Sequence, residues 1–258
     1  MLRFNWRRVN VSVFCLAICT APQLVWGADL AFKVSSTVTK ADSPDFRVQN
    51  ETLFTEPTVF DLVFENGKTV EAFLWDRKTS GFTLLDPIRE VTCQVTMEEL
   101  LQMATQMQIR AEKMPNIVRQ ALAPNFRVQW DAPRQQLTMT NPQIVYSAIL
   151  TTPPAEEIVL AYRQFSDVTA RLNASRPGAL PPNARLSLNR DIFRKHMIPK
   201  SVTVTLEINE GRPAILQSHH HYDWTLSEKD REQIEMLFAW REAFAAVDLP
   251  AFHKQTEE

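Results

Sequence analysis

From Phe32 to Thr39 the chain alternates: Phe32, Val34, Ser36 and Val38 fall on one side, Lys33, Ser35, Thr37 and Thr39 on the other. A period of two marks a strand with one face in a core and one in water. Phe46–Phe54 forms a second candidate strand. The strongest local signal is Asn66-Gly67, set between Val59–Phe64 and Thr69–Trp75. Both turn residues accept positive φ, as a type I′ turn requires, so the pattern predicts a tight hairpin. Gly81–Pro87 and Arg89–Val95 extend it into an antiparallel meander.

The period then changes. Thr96 and Glu99 form a capping box, and Leu100, Met103, Ala104, Met107 and Ala111 recur at helical spacing. This predicts a helix that runs to Met114 and is stopped by Pro115. Strands follow over Phe126–Asp131, Leu137–Asn141 and Ile144–Thr151. Prolines 153 and 154 with Glu156-Glu157 open the clearest helix, whose apolar face is Ile158, Ala161, Tyr162, Phe165, Val168 and Leu172. Ser175–Pro182 is a loop, and Ala184–Lys195 is helical with Leu186, Ile192 and Phe193 turned inward. Ser201–Ile208 and Pro213–Trp224 pair through Asn209-Glu210-Gly211. Ser227 caps a last helix carrying Ile234, Leu237, Phe238, Arg241 and Phe244. Pro250 ends that helix and leaves a loose charged tail after His253. The order predicts an α+β fold: one domain over 28–258, with helices packed on one face of a curved antiparallel sheet that could take the form of an unclosed barrel.

The first 27 residues do not belong to that domain. Arg3, Arg7 and Arg8 precede an apolar run from Val9 to Ala21, and Val25 and Gly27 stand at −3 and −1 of a cut after Gly27. That layout is a cleavable signal peptide over 1–27, placing the mature chain in the periplasm or outside the cell. Leu16-Ala17-Ile18-Cys19 offers a rival lipoprotein box, with Ile18 where Gly, Ala or Ser is wanted. An uncleaved N-terminal anchor is the other alternative, but Asn10, Ser12 and Thr20 interrupt the run, whereas a spanning helix needs about 20 apolar residues.

Removing three cations from a chain of net charge −2 leaves the mature protein near −5. An acidic chain without a basic block is a poor partner for nucleic acid, and none is expected. Cys15 and Cys19 leave with the signal, so Cys93 stands alone and no disulfide framework is implied. Five glycines in the whole chain leave little material for phosphate-cradling loops. No serine-elbow or His-Glu-x-x-His motif is present, so an enzyme is not favoured and no cofactor is expected.

Two constellations remain. His219, His221 and Asp223 share one face of a strand and could hold a metal ion, although a histidine on a wet strand face needs no role. Met103, Met107, Tyr162 and Phe165 could line an apolar pocket, although such stripes more often fill a core. The segments Val59–Asp76 and Gly81–Thr96, with the helix after them, resemble the unclosed β-barrels of bacterial periplasmic lipoprotein carriers. The likeness covers about a quarter of the chain, and Pro153–Pro199 departs from that pattern. It implies a curved sheet wrapped around helices, with an apolar cavity for acyl chains. The expected function is an exported, non-catalytic binding protein for a lipid or other apolar ligand. The alternatives are a metal-binding protein or metal-dependent enzyme using His219, His221 and Asp223, and an interaction protein of the cell envelope.

Overall fold

The Asn66-Gly67 signal sits in a hairpin as expected, with φ of 50° and 77° at its two residues. A computed structural model describes residues 30–207 and 213–254. The signal segment, the Asn209-Glu210-Gly211 turn and the end of the charged tail lie outside the described residues.

Six strands come first: β1 (Phe32–Lys40), β2 (Ser43–Phe54), β3 (Thr58–Glu65), β4 (Lys68–Asp76), β5 (Gly81–Asp86) and β6 (Val91–Thr96). Helices α1 (Met97–Ile109) and α2 (Asn116–Leu122) lead to β7 (Arg127–Asp131), β8 (Gln136–Thr140) and β9 (Ile144–Thr151). Then come α3 (Glu156–Asn173), α4 (Asn183–Phe193), β10 (Ile198–Leu206) and β11 (Ala214–Asp223). The chain closes with α5 (Glu228–Ala243), β12 (Ala245–Ala246) and α6 (Leu249–Phe252). All twelve strands make one sheet in the order β12-β6-β5-β4-β3-β2-β1-β11-β10-β9-β8-β7. It is antiparallel except where β12 lies on β6, and it does not close on itself. The structure is thus two meanders, β1–β6 and β7–β11, joined where β1 pairs with β11.

The expected α+β class and curved antiparallel sheet are what the structure has. On one face, Phe32, Phe54, Phe73 and Phe82 pack under Tyr162, Phe165 and Val168 of α3. Farther along that face, Leu137, Met139 and Ala148 meet Ala184, Leu188 and Ile192 of α4. One helix departs from the single-face arrangement. Leu53, Phe60, Leu62, Leu74 and Leu85 point the other way and pack against Leu237 of α5. The cause is in β3 and β4, where Val59-Phe60 and Phe73-Leu74-Trp75 are continuous apolar runs. Such runs, unlike alternation, need cover on both faces.

Proline changes two boundaries. Pro115 is the N-cap of α2, and Pro250 occupies the first turn of α6, so each opens a helix where the sequence was read as stopping one. Proline's fixed φ and missing N–H suit the first helical turn, where that N–H has no partner anyway. In α4 the buried stripe is Ala184, Leu188 and Ile192, with Leu186 and Phe193 only half-buried, because spacing of four sets the covered line.

Arg89, in the β5–β6 turn, fastens the C-terminal strap. Its Nε donates to Asp86 Oδ2 at 2.6 Å, and its guanidinium donates to the carbonyls of Ala251, Phe252 and Lys254. These are carbonyls that α6 itself leaves without partners. The strap in turn covers the edge of β6 with β12 and buries Phe252 in the core under α3. Arg89→Ala should speed amide exchange over 245–254 by about tenfold or more while leaving β1–β4 unchanged. Hydrogen exchange read by mass spectrometry checks this, and unchanged protection of 245–254 would refute the clamp.

Candidate functional site

The strand with three consecutive histidines, β11, lies in the interior of the sheet between β1 and β10. Its register places His221 opposite Ser35, His220 opposite Ser36 and His219 opposite Thr37. His220 turns toward α3. Its Nδ1 is 2.8 Å from Ser36 Oγ on β1, and its Nε2 is 3.1 Å from Ser218 Oγ. Ser218 donates in turn to the Val202 carbonyl of β10 at 3.3 Å. Next to this chain Tyr222 donates to the Pro199 carbonyl at 2.5 Å, and the Tyr162 ring stands edge-on to both Tyr222 and His220. Burial, with Arg185 and His219 nearby, pushes His220 down to about 3. The imidazole is neutral at physiological pH. A base that weak, without a carboxylate behind it, is unsuited to activating Ser36 or Ser218.

A second polar group lies on the same face. Asp61 on β3 is buried and accepts from Thr52 Oγ1 at 2.6 Å and from Asn50 Nδ2 at 3.4 Å. Burial pushes its carboxyl up to about 7, against the hydrogen bonds from Thr52 and Asn50. Glu71 raises it further and Arg176, ion-paired to Glu71, lowers it. Tyr162 and Tyr222 are likewise raised, foremost by burial. Burial thus keeps His220 and the two tyrosines uncharged at neutral pH and raises Asp61, which favours a structural role over proton transfer.

The residues singled out from sequence are divided by the fold. His219, His221 and Asp223 share the opposite face, as alternation implied, and His221 Nε2 lies 3.4 Å from Asp223 Oδ1. Asp223 is also 3.7 Å from Lys33 Nζ, which binds Asp230 of α5 at 3.1 Å. Among the described residues no three His, Cys, Asp or Glu side chains are grouped to hold a metal ion. Tyr162 and Phe165 are buried under α3, where the space bordering Tyr162 is filled to about 10 Å³. Met103 and Met107 are elsewhere, along an external groove of about 470 Å³ on α1 with Met114 and Arg110. The four do not meet in one cavity. Their separation follows from α1, whose only buried residue is Leu100, so the methionine stripe rests on the surface and fills no core gap. Cys93 is buried beside Leu84 and Val95, and burial pushes its thiol up, the opposite of an activated nucleophile.

A further opening lies between sheet and helices. A cleft of about 560 Å³ is walled by Trp75 of β4, Met97 and Leu101 of α1, and Val168 of α3. Arg77, Lys78, Gln164 and Arg171 bring polar heads to it. The Trp75 indole N–H is enclosed and has no hydrogen-bond partner among the described residues. Sequence reasoning passed over this site because its walls come from separate segments, each ordinary by itself. Val168 belongs to the apolar face of its helix, and Arg77-Lys78 fall between two predicted strands.

The chain matches no known protein family and no curated protein. No helix among the described residues is long and apolar enough to cross a membrane.

Two outcomes follow from the belt. His220→Ala removes the ring partner of Ser36 Oγ and one of the two partners of Ser218 Oγ, and should cost about 1–3 kcal/mol in urea unfolding, against about 0.5 kcal/mol or less for His219→Ala or His221→Ala. Equal costs at the three positions would contradict the seam. Asp61 has a folded value above the ordinary 3.8, so the stability of its protonated form is complete below 3.8 and is lost as pH rises to about 7. Asp61→Asn should therefore stabilise the protein by roughly 1–3 kcal/mol at pH 8 and leave it nearly unchanged at pH 4. A pH series of denaturation midpoints tests this, and a uniform shift at both pH values would count against it.

Proposed function

We propose that this chain is an exported, non-catalytic binding protein that holds a lipid or other apolar ligand between its sheet and helices. The observation that carries the reading is the cleft of about 560 Å³ walled by Trp75, Met97, Leu101 and Val168. Ligand pockets span about 300–1,000 Å³, and this cleft falls within that range, with an apolar wall and a polar, charged rim. Its outer wall is α1, which buries Leu100, packs Met97 partly against the core and leaves Leu101 half-exposed at the rim. A helix so lightly anchored can shift to admit a chain without unpacking the core. The N-terminal Arg3, Arg7 and Arg8 and the apolar run after them support export. The layout likeness to periplasmic lipoprotein carriers supports an acyl ligand.

The test is binding of N-phenyl-1-naphthylamine, an uncharged fluorescent apolar probe, to the mature chain. Leu101→Asp puts a charge on the apolar wall and should weaken binding about tenfold. Ile109→Asp, at a 70% exposed site on the same helix and outside the cleft, should change nothing. Absence of binding by the native protein, or equal binding by all three proteins, would sink the proposal. Native mass spectrometry of protein taken from the periplasm should also show a lipid-sized mass.

A further inference from the structure

The rim of the cleft is charged in a way the fold does not require. Arg77 and Lys78, in the turn after β4, and Arg171, in the last turn of α3, all line it. Two acids line it as well, Glu56 and Asp167. Asp167 is already engaged, its Oδ1 accepting from Asn189 at 3.0 Å and its Oδ2 lying 3.6 Å from Arg163. Among the described residues no carboxylate lies within 4.0 Å of a side-chain nitrogen of Arg77, Lys78 or Arg171. This surplus of positive charge occurs in a chain of net charge −2, so it is a local feature. The dipole of α3 accounts for a cation at Arg171, but not for Arg77 or Lys78, which belong to the sheet.

The two guanidiniums are oriented. Arg77 donates from Nη2 to Gln164 Oε1 at 3.0 Å, and Arg171 donates from Nη1 to the Asp167 carbonyl at 2.8 Å. Each bond fixes one nitrogen and leaves the rest of the planar fork for another acceptor. Resting on the reading of the cleft as a ligand site, we infer that the ligand is an anionic amphiphile. Its carboxylate or phosphate head sits on Arg77 and Arg171, and its hydrocarbon chain runs along Trp75, Leu101 and Val168. A guanidinium fork binds either oxyanion through paired charge-assisted hydrogen bonds, and both gain strength beside an apolar wall.

The experiment is displacement of N-phenyl-1-naphthylamine from the full mature chain by four twelve-carbon amphiphiles below their micellar concentrations. These are dodecanoate, dodecyl phosphate, dodecanol and dodecyltrimethylammonium at pH 8. One or both anions should displace the probe at about tenfold lower concentration than dodecanol, with the trimethylammonium compound weakest. Whichever anion leads identifies the source of the head, a fatty acid or a phosphate ester. In Arg77→Gln/Arg171→Gln the anions should fall to the level of dodecanol, with each displacement referred to that variant's own affinity for the uncharged probe. Raising salt from about 20 to about 500 mM should narrow the same gap in the native protein, which tests the charge without any substitution. Equal displacement by anion and alcohol, or a preference that survives both substitutions, overturns the inference and leaves the apolar cleft standing. If the native protein does not bind the probe at all, the cleft reading falls and this one with it.

Discussion

The pairing of β1 with β11 holds this protein together as one sheet. Every other antiparallel neighbour in the sheet is also a neighbour in sequence. The β1–β11 contact instead joins positions as far apart as Ser36 and His220, separated by 184 residues. Without it, β1–β6 and β7–β11 are two meanders, each with an additional open edge. A slip of one residue there would turn His219 and His221 inward and Val34 or Tyr222 outward. His220 opposes that slip, because its Nδ1 reaches Ser36 across the seam in the observed register, while Ser218 on its own strand holds Nε2. Buried polar groups must be paired, and here the pairing specifies alignment.

The position of α3 follows from the seam. Its apolar stripe lies over rings from both sides of β1: Phe54 and Phe73 beside Phe165, and Tyr222 beside Tyr162. Phe32 and Phe54 stack with centroids 4.1 Å apart beneath it. The helix therefore fills the middle of the curved sheet with aromatic volume, and the space near Tyr162 is closed. Toward the end of α3, at Val168 and Arg171, the facing element is no longer a dense aromatic layer but the turn after β4 and the lightly held α1. The cleft opens there. It is the place where a sheet wide enough for twelve strands outruns the helix that covers it.

Local signals in the sequence were good guides, and contacts between distant segments were not. The Asn66-Gly67 hairpin, the capping box at Thr96, the cap at Ser227, and the whole stripe from Ile158 to Leu172 stand where pattern placed them. Each depends on a few adjacent residues. Failures came where the deciding partner was remote. Alternation said that His219 and His221 share a face, yet only the β1 partner shows that His220 is the enclosed one. The stripe of Met103 and Met107 is properly helical, but nothing in α1 says how little of it the sheet would cover. Pro115 and Pro250 are read equally well as helix stops or starts, and only the next segment's packing decides. The cleft was least legible of all, since Trp75, Leu101, Gln164 and Arg171 have no shared pattern.

The contrast between belt and cleft argues for where function lies. The belt has the residue types of chemistry, Ser, His, Asp and Tyr, but the environment removes their reactivity. Desolvation holds His220 and Asp61 uncharged over opposite ranges of pH, and the serines spend their hydroxyls on a strand register. The cleft has the reverse character. Its residues are individually unremarkable in type, but they are accessible, and its cations lack partners that the rest of the molecule supplies elsewhere, as to Arg89, Arg163 and Arg194. Evolution of a stable fold alone gives no reason to leave two guanidiniums beside an apolar wall without a carboxylate partner among the described residues. A ligand that is apolar along its length and anionic at its end answers both the wall and the charge.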